Sequence, residues 1–97
     1  MSGMSSIHLQ TKEKFCRAFG DPHRAQGHDL QWSLRSLAYL APINILLDLG
    51  NHTPIVWIFD PHDIKEGVFH LPLRSEADAD SVIWQIEQRL QTSRGGP

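Results

Sequence analysis

The sequence predicts an α+β fold: an antiparallel meander of three strands, or four, with an N-terminal helical region and a C-terminal helix packed on one face. Three observations carry this. Across residues 43–49, Ile43, Ile45, Leu47 and Leu49 alternate with Asn44, Leu46 and Asp48, the period of a strand with one buried face. Residues 55–59 (Ile-Val-Trp-Ile-Phe) are apolar on both parities and are bounded by the turn residues Gly50-Asn51-His52-Thr53-Pro54 and Asp60-Pro61. Ala79, Val82, Ile83, Ile86 and Leu90 recur at spacings of three and four, an apolar helical stripe.

The small, polar residues 1–6 and 92–97 read as disordered tails around a single domain at 7–91. Thr11 is placed to cap a short helix over residues 12–19, with Phe15, Cys16 and Phe19 on its apolar side and Gly20 ending it. Residues 30–40 read two ways. Leu30, Leu34, Leu37, Ala38 and Ala41 fit a helix capped by Asp29, the favoured reading, while Leu30, Trp32 and Leu34 fit a strand. As a helix the segment covers the second face of the central strand; as a strand it leaves that face open to a partner chain. In residues 68–73, Phe69, Leu71 and Leu73 share one face, and Pro72, which cannot donate to a ladder, points to an edge. Ser75, three residues before Asp78, opens the last helix, with Glu76, Asp78 and Asp80 at the positive end of its dipole and Arg89 and Arg94 near the other.

A chain of 97 residues, 40% hydrophobic and 21% charged, suits one small core. Nine Lys and Arg against eleven Asp and Glu leave a net charge of -2 and no global field for phosphate backbones or anionic lipid. The lone Cys16 and an N-terminus without a basic or apolar stretch point to a cytoplasmic address. The most apolar run, residues 37–47, is interrupted by Pro42 and Asn44 and is too short for a membrane span. Asn51-His52-Thr53 fits a glycosylation pattern but, followed by Pro54, reads as a polar turn.

Six histidines invite a metal or small-ligand reading, with Asp48, Asp60, His62 and His70 as weak candidate ligands. No two histidines have the helical spacing of a catalytic zinc site, and the turn before the central strand lies at the opposite end of the sheet from the loop after it. Asp-Pro-His at 21–23 and again at 60–62 reads as two turns. Cys16 with His23 is a poor thiol–imidazole pair, because Cys16 lies on an apolar helix face. With no nucleophile elbow and no phosphate loop, an enzyme is disfavoured and no cofactor is expected.

The order helix, three strands, helix is similar to that of double-stranded RNA-binding domains, a likeness of topology alone. Where that family carries a basic cluster at the start of its last helix, this chain has Glu76, Asp78 and Asp80, so no nucleic-acid partner is expected. Trp32, Trp57 and Trp84 remain as candidate partner-binding residues. The expectation is a small non-enzymatic interaction module, a homodimer or the binder of another protein, joined through an apolar sheet face or the helix flank at Trp84, with no membrane partner. The histidines add the expectation of a pH-responsive module.

Overall fold

The computed structural model describes residues 6–35, 41–61 and 67–92. In chain order it holds α1 (Ser6–Phe19), β1 (Arg24–Gln26), β2 (Asp29–Leu34), β3 (Ile43–Asp48), β4 (Ile55–Phe59), β5 (Val68–Pro72) and α2 (Glu76–Thr92). The strands form one antiparallel sheet in the order β1-β2-β3-β4-β5, so β1 and β5 are its edges. The α+β class is as expected, but the sheet has five strands where the sequence suggested three or four.

Residues 29–34 are a strand, which overturns the favoured helix capped by Asp29. Gly27, with φ of 61°, lets the chain reverse between β1 and β2, and β2 then pairs with β3 along all six of its residues. That pairing outweighs a helical stripe whose later members include Leu37 and Ala38, which lie outside the described residues. Strand geometry also points Trp32 into the core, where its indole N–H donates to the Gly20 carbonyl at 2.9 Å and its ring lies 5.8 Å from that of Phe15.

The first helix starts earlier than expected, at Ser6, inside the segment read as a tail; at the other end, Thr92 still belongs to α2. Thr11 is therefore not a cap. It is fully buried in mid-helix, and its hydroxyl has no hydrogen-bond partner. The early start has a tertiary cause: buried His8 meets the Asn51 carbonyl through Nε2 at 2.7 Å, fixing the first turn of α1 to the β3–β4 connection. At the other end Gly20, with φ of 83°, donates its N–H to the Cys16 carbonyl at 2.8 Å, a left-handed helix cap.

The start of α2 is as expected. Asp78 N–H donates to Ser75 Oγ at 3.2 Å, while the Asp78 carboxylate accepts from Arg74 N–H at 2.9 Å. Lys14 of α1 bridges to Asp80 at 2.9 Å and Glu76 at 3.8 Å. Its hydrogen bond to Asp80 raises its pKa above the usual 10.5, so the amine keeps its charge through neutral pH and gives it up only in strong alkali.

All core residues of the sheet share one face. Leu30, Trp32, Ile43, Ile45, Leu47, Val56, Ile58 and Leu73 pack against Phe15 of α1 and Val82 and Ile86 of α2. Both helices therefore cover the same side. Gly20→Ala is expected to cost about 1 kcal/mol in denaturant unfolding, since a Cβ there meets nothing within 4 Å and the penalty is the left-handed backbone alone. Thr11→Val, which removes a buried unpaired hydroxyl at nearly constant shape, is expected to leave stability unchanged or raise it by about 1 kcal/mol.

Candidate interaction face

The side of the sheet away from the helices follows directly from the pairing register. One row across it reads Arg24, Gln31, Leu46, Trp57, His70. The rows on either side read Gln26, Asp29, Asp48, Ile55, Pro72 and, from β2 onward, Ser33, Asn44, Phe59, Val68. Polar residues thus fill the β1–β2 half, and apolar residues fill the half from the middle of β3 to β5. Leu46, Ile55, Trp57 and Phe59 are half-buried by their neighbours, while Val68 is 60% exposed and Pro72 is open. Among the described residues, no charged side chain stands on the open positions of β4 and β5.

The face is not flat. A recess of about 430 Å³ is lined by Pro42, Asn44, Phe59, Pro61 and Val68, and one of about 300 Å³ by His23, Gln31, Asn44, Leu46 and Phe59. Phe59 and Asn44 border both. Trp57 lies in the middle of the apolar half and stacks on the His70 ring, with 4.6 Å between centroids and 29° between planes.

The other tryptophans are placed differently. Trp32, a candidate partner-binding residue by sequence, is 2% exposed and serves the core, though it also borders the smaller recess. Trp84 is 61% exposed on α2, but the residues one turn from it, Asp80, Ser81, Glu87 and Gln88, are polar, so it stands alone on its helix instead of extending an apolar patch.

The candidate ligands are not gathered. Asp48 accepts from Gly50 N–H at 2.9 Å and from the Asn51 side-chain amide at 2.7 Å, which makes it the brace of the β3–β4 turn. Asp60, at the other end of the sheet, is buried and accepts from Arg89 of α2 at 2.9 Å. The Arg89 guanidinium also lies 4.7 Å over the Phe69 ring. His70 is on the open face, and His62 lies outside the described residues. Among the described residues, no group of three or more His, Cys, Asp and Glu side chains could hold a metal ion, and no helix is long and apolar enough to cross a membrane. Sequence reading missed the Asp60–Arg89 pair because its members are 29 residues apart and join a strand end to a helix.

No protein-family model, curated protein or solved structure matches the chain. Arg89→Met is expected to cost roughly 2–3 kcal/mol in urea unfolding at pH 7, because it removes the guanidinium that pairs with a buried carboxylate. Asp48→Ala, at a solvated turn, is expected to cost about 1 kcal/mol or less.

Proposed function

We propose that this protein is a non-enzymatic interaction module whose open sheet face associates with the same face of a second copy. The observation that carries the reading is the uncharged apolar half made by Leu46, Ile55, Trp57, Phe59, Val68 and Pro72, on a sheet whose described helices, α1 and α2, lie on the other side.

Charge placement supports a second copy and selects its arrangement. Two chains of net charge -2 come together best through a surface that is itself uncharged. A two-fold axis running along β4 sets β3 over the partner's β5 and leaves the polar β1–β2 halves overhanging in solvent. An axis running across the strands would set Arg24 against its own copy, so the first arrangement is favoured. The recesses beside Phe59 offer room for apolar side chains of the opposing sheet.

The size of the patch sets the strength. Three strands about 4.8 Å apart and about 17 Å long give a footprint of roughly 250 Å². That is small beside the roughly 800 Å² each partner buries in a standard interface. A patch of this size fits a weak, transient dimer.

Sedimentation velocity from about 5 to about 200 μM tests this. The wild-type weight-average mass is expected to rise toward the dimer. Ile55→Lys, which sets a charge within the patch, one row from Trp57, without touching the core, is expected to stay monomeric, while Trp84→Lys is expected to behave as wild type. A wild type that stays monomeric throughout overturns the reading, as does association lost in Trp84→Lys but kept in Ile55→Lys.

A further inference from the structure

Resting on that reading, we infer that His70 makes the association acid-sensitive: its imidazole is an open proton acceptor in the free chain and becomes a buried one in the dimer. His70 is exposed on β5 and stacked on Trp57, the central residue of the apolar half. In the free chain its protonated ring keeps contact with water and lies against the electron-rich indole face, an arrangement that tolerates a cation. With the axis along β4, covering the face sets His70 over the partner's β3, opposite Leu46, where the same cation loses water against an apolar side chain, while the partner's Asp48 comes over Pro72, one row away.

The surroundings of His70 fix the sign. From β4 it is faced by Ile55, Trp57 and Phe59, and along β5 by Val68 and Pro72, none of them titratable. The carboxylate of β3 on this side, Asp48, sits one row away and is held by Gly50 and Asn51. Farther across the sheet stand Asp29 on β2 and Arg24 on β1, and beyond the strand ends His52 and Arg74. Among the described residues, the carboxylate nearest the covered His70 is Asp48, already accepting from Gly50 and Asn51. Protonation therefore favours the separated chains, and association weakens as pH falls through the range in which imidazoles ordinarily titrate.

Sedimentation equilibrium at pH 7.5 and pH 5.5 tests this on the wild type, His70→Gln and His70→Phe, with far-ultraviolet circular dichroism confirming that each variant is folded. The wild type is expected to associate about tenfold more weakly at pH 5.5. His70→Gln, uncharged at both values, and His70→Phe, which keeps a ring on Trp57, are expected to change less than about twofold. These variants also control for the general gain of positive charge, since the other five histidines remain. Equal or tighter wild-type association in acid overturns the inference and leaves the face reading standing. So does a tenfold loss that persists in both variants. A wild type that fails to associate at pH 7.5 overturns both.

Discussion

Side chains leave a strand alternately to its two sides, and among the described residues the helices cover one of them. The rest of the molecule follows from that imbalance. The helix-facing positions carry Leu30, Trp32, Ile43, Ile45, Leu47, Val56 and Ile58, closed over by Phe15, Val82 and Ile86. The intervening positions have no helix over them among the described residues, yet β4 continues apolar there with Ile55, Trp57 and Phe59. A strand that needs cover on both faces in a domain that supplies it on one defines the surface on which the proposed function rests.

Much of this was legible in the sequence wherever period and chemistry agreed. The alternation of residues 43–49, the two-sided run of 55–59 and the stripe of the last helix each correspond to an element, and Pro72 marks an edge strand. Where two patterns coexisted, local reading chose wrongly. Leu30, Leu34 and the apolar residues after them satisfy a helix on paper, but nothing local registers that Leu30 and Trp32 have partners waiting in Leu47 and Ile45. The three residues of β1 carry no apolar alternation at all and exist as a strand only because β2 is beside them.

The candidate site was half legible for the same reason. Trp57 was picked out by its residue type, but β4 is apolar on both parities, so which of its sides faces away from the helices, and the stacking of Trp57 on His70, depend on a register that no spacing reveals. Asp60 drew notice as a ligand because it is acidic and near histidines. Its actual partner, Arg89, belongs to a helix that arrives beside it only in the folded chain. Buried carboxylates and exposed ones look alike in a sequence.

The two ends of the sheet differ from its face in what they allow. One edge is a strand of only three residues, and the other carries Pro72, which offers no N–H for a neighbouring chain to bond. Growth of the sheet sideways, strand by strand, is thereby discouraged at both margins. A contact made face to face about a two-fold axis uses up the same patch on each copy and leaves nothing to recruit a third. In the proposed assembly, the geometry of the edges thus favours a finite pair over a fibre.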